Sequence, residues 1–277
     1  MCHAPLYQES NLYEYMAAPN QDGKRFGKHY HYNSYAMRSE EPDPNKIKIL
    51  GLGDSVLAGG ATIDQDDIAT SIFNRETGWQ MLNISAGSWG PDNCAAYLDA
   101  HGLFNAKAMF LLVSSHDAYD NMNFTPVVGV HETYPKKQFV SAWCELICRY
   151  IWPRTLGKYL KNRFVDPDQQ VVNGVSIRKD GKIFNPGFDR LKSIADTAGI
   201  PLLICLHADI KELEERTYNE SGKTIIAWCQ ANNITPILEI DEGITKDMYR
   251  DGIHTNEKGQ RFEAELMKKY LLQTLTE

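Results

Sequence analysis

"KIKILGLGDSVLAGGATI", from Lys46 to Ile63, sets a continuous apolar run against Gly-Asp-Ser and a tract of small residues. An apolar run without polar alternation suits a strand buried on both faces, the habit of parallel sheets. This one ends at a hydroxyl, Ser55. In doubly wound sheets, binding sites form outside the carboxyl ends of the strands, so Ser55 stands where chemistry is expected. Four more runs have the same character: "QMLNIS" (80–85), "AMFLLVSS" (108–115), "PLLICLHA" (201–208) and "ITPILEI" (234–240). Helical patterns precede each of them, in "DIATSIFNRETG", "DNCAAYLDAHGLF", "FDRLKSIADTAG" and "SGKTIIAWCQANN". Strand alternating with helix predicts parallel strands joined by right-handed crossovers, hence an α/β doubly wound sheet. The glycines after the strand do not make a phosphate loop. No lysine follows Gly59 or Gly60, and the third position after Gly53 is Val56, which breaks the dinucleotide fingerprint.

The bulk properties narrow the function. With 277 residues, 43% hydrophobic and 23% charged, the chain has the composition of a folded domain. A net charge of −7 argues against general nucleic-acid binding. The opening "MCHAPLYQES" has no apolar h-region, which reads as a cytoplasmic location, and no run approaches the roughly 20 residues of a membrane span. Six scattered cysteines without a CxxC pair read as free thiols. The eight histidines form no HExxH or Cys/His cluster. His29 and His31 in "HYHY" share a strand face without further ligands, so neither a metal nor a cofactor is expected. Nothing here bears on oligomeric state.

Two regions break the alternation. Residues 1–44, rich in tyrosine and asparagine, read as an arm of loops and short strands packed on the core, with "EEPDPNK" as the junction. The remaining domain, 45–277, carries an insertion at about 118–187 between the third and fourth strands. The insertion holds an amphipathic helix near "FVSAWCELICRYIW" and an expected hairpin, "VSIRKDGKIF", turning at Asp180-Gly181. From Lys136 to Arg163 it has seven basic residues against Glu145 alone. That run reads as a solvated face, with attraction of an anionic substrate as the alternative.

A serine hydroxyl is a poor nucleophile unless a base takes its proton and donors stabilise the oxyanion. The stretch "MYRDGIHTNEKGQRF" supplies a base and its partner, because Asp251 and His254 lie three apart after the last strand. A carboxylate at that spacing can orient an imidazole whose other nitrogen faces outward. The bland readings are a helix cap for Ser55 and a surface position for His254.

"GLGDSVLAGG" together with "DGIHTNEKG" resembles the first and last signature blocks of the SGNH/GDSL hydrolase superfamily, and the resemblance covers residues 45–277. It implies a flavodoxin-like three-layer α/β/α sandwich on a five-stranded parallel sheet, esterase chemistry and no cofactor. It implies that Ser55 is the nucleophile, His254 the general base and Asp251 its orienting partner. The second block corresponds to "LNISAGSWGPDN", where Ser88 holds the position of the oxyanion-binding glycine and Gly90 is the fallback. The third corresponds to "VSSHDAYDN", which puts His116 where the family has its oxyanion asparagine. The implied oxyanion hole is thus Ser55, Ser88, Gly90 and His116. His116 can also be a packed histidine without catalytic duty. Asp54, Asp117 and Asp120 read as turn-forming residues, and Trp89 as pocket lining or core.

The expected activity is hydrolysis of a small acyl ester, acetyl above all, on a small molecule or a glycan. The arm's "PNQ…YNSYAMR" is similar to an element of some bacterial family members, which favours a carbohydrate ester. The alternatives are an O-acyltransferase acting on a glycan and a catalytically weakened glycan-binding relative.

Overall fold

The computed structural model describes residues 3–131, 133–152, 177, 179 and 181–276. Two antiparallel hairpins open the chain, β1 (Tyr7–Ser10) with β2 (Glu14–Ala17) and β3 (Gln21–Arg25) with β4 (Lys28–Tyr32). Then come β5 (Lys48–Gly53), α1 (Ser55–Ala58), α2 (Ala69–Thr77), β6 (Gln80–Ser85), α3 (Pro91–His101) and β7 (Ala108–Ser114). After α4 (Ala142–Glu145), which runs on as a π-helical turn over Leu146–Ile151, follow α5 (Gly187–Ala198) and β8 (Leu202–His207). The chain closes with α6 (Ile210–Glu215), α7 (Glu220–Ala231), β9 (Ile237–Leu238), α8 (Glu239–Glu242) and α9 (Glu257–Thr276).

The central sheet has five strands in the order β6-β5-β7-β8-β9, all parallel. Its strand order reverses between β5 and β7, and a crevice opens at such a switch point. Both faces are covered, and the alternation of side chains sorts each strand between two cores. Ile49, Met81, Phe110, Leu112 and Cys205 pack with α2 and α9 through Phe73, Met267 and Leu271. Leu50, Leu52, Leu82, Leu111, Val113 and Leu206 pack with α3, α5 and α7 through Tyr97, Leu98, Phe188 and Ile225. The three-layer α/β/α fold expected from the sequence is the fold found. Among the described residues no helix is long and apolar enough to cross a membrane.

The differences in detail have physical causes. The fifth strand, expected over 234–240, shrinks to Ile237–Leu238 because Pro236 has no N–H and Glu239 starts α8. The hairpin expected at Asp180-Gly181 and the basic run beyond Trp152 fall largely outside the described residues.

The arm is pinned by two buried charges. Glu14 accepts the N–H groups of Asn123 and Phe124 and the amide of Asn93, and pairs with buried Lys179. Arg38 is 2% exposed and donates to the carbonyls of Ala58 (2.6 Å), Gly60 (2.7 Å) and Ile63 (2.8 Å). Asn33 sets up this reach, since its Oδ1 accepts the N–H groups of Tyr35 and Met37 and folds the turn that carries Arg38 inward. The guanidinium therefore clamps the loop that follows Ser55. Replacing Arg38 with Met keeps the bulk and leaves three carbonyls unpaired, each costing on the order of 1–3 kcal/mol if it stays dry. Thermal unfolding of Arg38→Met should fall by roughly 5 °C or more on the basis of 2–4 °C per kcal/mol, and an unchanged melting temperature would show that the clamp is idle.

Candidate active site

The β5 strand ends in a turn that leaves no room for a side chain at Gly53. A Cβ there would lie 2.8 Å from the Leu112 carbonyl oxygen and 3.0 Å from Leu57 Cβ. Asp54 follows, buried, and its Oδ1 accepts the N–H of Val56 at 2.8 Å, so it caps the short helix on which Ser55 stands. Asn83 on β6 ties the same helix from below through the Leu57 carbonyl at 3.0 Å. Ser55 is thus fixed at the carboxyl end of β5, at the switch point of the sheet.

The other partners arrive on the loop between β9 and α9. Asn256 Oδ1 accepts the N–H groups of Lys258 and Gly259 at the start of α9, while its amide donates to the Asp247 and Tyr249 carbonyls. Gly259 lets the helix sit against that loop, because a Cβ would stand 2.5 Å from the Met248 carbonyl. The loop closes through Arg250 N–H to the His254 carbonyl at 2.9 Å. His254 Nε2 then lies 2.9 Å from Ser55 Oγ. On its other side, Nδ1 lies 2.9 Å from Asp251 Oδ2 and 3.0 Å from Oδ1. Asp251 Oδ1 also accepts the backbone N–H groups of Ile253 (3.0 Å) and His254 (2.8 Å). Partial burial works to raise the pKa of Asp251, but those two N–H groups and the facing imidazole hold it below its ordinary value. A serine, an imidazole and an ionised carboxylate so arranged can activate the hydroxyl as a nucleophile.

The four residues expected in the oxyanion hole separate. Ser55 and Ser88 line the same cavity, and no acceptor for either backbone N–H is found among the described residues. Ser88 has φ +58°, the left-handed region that favours glycine. Gly90 does not join them, since its N–H is already given to Asn93 Oδ1 at 2.9 Å as the cap of α3. His116 follows β7 as expected, but its Nε2 faces carboxylates: Asp54 at 3.5 Å, Asp117 at 3.7 Å and Asp120 at 3.9 Å. Burial alone would lower its pKa, and the charges of Asp117, Asp54 and Asp120 push it up to about 10 instead. Trp89 is core, 1% exposed, with Nε1 donating to the Tyr15 carbonyl.

A cavity of about 520 Å³ opens over Ser55 and His254. The arm contributes Tyr7, Ala17, Arg25, Phe26 and Tyr32 to its wall, and the insertion contributes His131, Thr133 and Tyr134. Tyr134 packs against Tyr7 and Tyr15. None of these tyrosines was among the residues expected at the site. Tyr7 and Tyr32 belong to a tyrosine-rich stretch visible over residues 7–35, but nothing in the sequence says which of its rings face the serine, and Tyr134 lies far outside it.

Behind His254 lies a buried polar core. His207 reaches Glu239 with Nδ1 and the Ile253 carbonyl with Nε2, both at 2.6 Å. Glu263 accepts from Thr255 (2.9 Å) and from Gln260 (3.0 Å), and Gln260 also donates to the Val56 carbonyl. The network therefore touches both the serine helix and the histidine loop.

Compared with known proteins, the chain matches no protein-family model, and no curated protein matches it. Solved structures do resemble it. A lipolytic protein of the G-D-S-L family from Veillonella parvula is 12% identical, with 80% of this chain and 97% of that chain covered at a TM-score of 0.41. An acetyl xylan esterase is 15% identical, with 81% and 100% covered at 0.45. A lipase/acylhydrolase from Enterococcus faecalis is 10% identical, with 82% and 96% covered at 0.46.

The buried core makes a stability prediction. Burial opposes the charge on His207, but Glu239 outweighs it and raises the imidazole to about 9. Burial, with Glu239 next, raises the Glu263 carboxyl to about 8. Both folded values exceed the unfolded ones, so the native state holds more protons between about pH 6.5 and 9 and loses stability as pH rises through that window. The melting temperature should fall from pH 6.5 to 9, and fall less steeply in Glu263→Gln. A melting temperature flat in pH would contradict this assignment.

Proposed function

We propose that the protein is a serine ester hydrolase of the SGNH/GDSL type, acting on short acyl esters carried by a small, hydroxyl-rich molecule such as a carbohydrate. The observation that carries the reading is the chain Ser55 Oγ, His254 Nε2, His254 Nδ1, Asp251, with its links at 2.9 Å. His254 takes the Ser55 proton as Oγ attacks the ester carbonyl. Asp251 holds the imidazole in the tautomer that leaves Nε2 free and stabilises the imidazolium. The Ser55 and Ser88 N–H groups bind the oxyanion, a contribution typically worth about 2.7–4 kcal/mol per donor. His254 returns the proton to the leaving alcohol, then activates water to release the acid.

The cavity supports the substrate class. Its tyrosines offer flat apolar faces with polar tips, a combination suited to sugar rings, and about 520 Å³ suits a compact ligand.

Turnover of p-nitrophenyl acetate should exceed that of the octanoate. Ser55→Ala and His254→Ala should each lower kcat by at least about 10⁴-fold, with circular dichroism unchanged. Equal, slow hydrolysis by wild type and Ser55→Ala would refute the reading. The Ser88 donor is a backbone group, so Ser88→Gly should keep kcat within about 3-fold, whereas loss of a donor costs on the order of 10²–10³. A drop of that larger size in Ser88→Gly would assign the role to its hydroxyl instead.

A further inference from the structure

Asp54, His116 and Asp117 converge from the ends of two neighbouring strands, and their mutual geometry is unusual for hydrogen bonding. His116 Nε2 stands 3.5 Å from Asp54 Oδ2 and 3.7 Å from Asp117 Oδ1, both longer than the roughly 2.7–3.2 Å of an N–H···O bond. One donor atom from each of the three residues lies within 4.8 Å of the others. Asp117 is 1% exposed, and its Oδ1 has no hydrogen-bond partner among the described residues. An orphaned, fully buried carboxylate oxygen is costly.

The remaining oxygens are already committed. Asp54 Oδ1 accepts the Val56 N–H at 2.8 Å, and Asp117 Oδ2 accepts the Ser114 N–H at 2.7 Å. Each carboxylate is therefore oriented by backbone, with its other oxygen turned toward His116. Such outer contacts are what orient metal ligands. For ligands at about 2.0–2.2 Å in a tetrahedron, the edges are about 3.3–3.6 Å long. The two separations from His116 Nε2, 3.5 and 3.7 Å, fall close to that range, and the third edge lies within 4.8 Å. One imidazole nitrogen and two carboxylate oxygens suit zinc better than calcium, which takes 6–8 oxygens at about 2.3–2.6 Å.

We propose that Asp54 Oδ2, His116 Nε2 and Asp117 Oδ1 form a binding site for one zinc-class divalent cation beside the Ser55 turn. Binding of the cation releases the Nε2 proton to solvent. It also gives Asp117 Oδ1 the partner it lacks.

The test is titration of the full-length, chelator-treated protein with zinc chloride by calorimetry, with cobalt chloride as a spectroscopic probe. The expected result is one equivalent bound with submicromolar Kd, and visible cobalt bands of a four-coordinate nitrogen/oxygen site without thiolate charge transfer. Asp117→Asn, nearly isosteric, should weaken binding by more than the roughly 10–100-fold that even an outer-shell partner is worth. The surface pair His29 and His31, both bonded to Asp22, and the buried group His207, Glu239 and Glu263 are competing sites, so His29→Ala/His31→Ala and Glu263→Gln should each leave the Kd unchanged. Should Asp117→Asn fail to fold, the wild-type cobalt spectrum and the histidine double variant still decide. No zinc bound, binding lost in the double variant or in Glu263→Gln, or thiolate-type cobalt bands would each overturn the proposal. None of these readouts depends on ester turnover.

Discussion

The hydrogen bond from Ser55 Oγ to His254 Nε2 joins residues 199 positions apart in the chain, and the buried polar groups around it hold one end or the other in place. On the serine side, Asp54, Asn83 and Arg38 fix the turn, the helix and the following loop. On the histidine side, Asp251 and Asn256 shape the loop, and His207 takes the Ile253 carbonyl. Gln260 spans both by donating to the Val56 carbonyl. A hydrogen bond between two loops is weak on its own. Here each end is held by its own hydrogen bonds, the serine turn by Asp54, Asn83 and Arg38 and the histidine loop by Asp251 and Asn256.

Much of this was legible in the sequence because local rules decide it. Strands buried on both faces read as uninterrupted apolar runs, and "QMLNIS" is the strand Gln80–Ser85 to the residue. What the sequence could not show depends on distant residues meeting. Gly90 looked available as a donor until its N–H was found on Asn93, a cap that requires α3 to begin there. Arg38 and Glu14 lie in an arm without strong periodicity, and their buried partners come from elsewhere in the chain. The tyrosines of the cavity wall were hidden for the same reason.

His116 shows how charge can redirect a residue that a pattern assigns elsewhere. Placed after β7, where its imidazole was expected to serve as an oxyanion donor, it instead has Nε2 facing three carboxylates. Asp54 thereby serves both as cap of the serine helix and as a partner of His116. A metal site was not expected from the sequence because ligand spacing is read locally, and positions 54, 116 and 117 follow the ends of two strands that only the sheet brings side by side.

The central claim is that Ser55 is an activated nucleophile in the folded protein. Incubation with a fluorophosphonate, followed by intact-mass and peptide mass spectrometry, tests it most directly. One covalent adduct on the peptide containing Ser55, absent in His254→Ala of unchanged fold, is the predicted result. An unlabelled folded protein, or an adduct confined to another residue, would contradict the account.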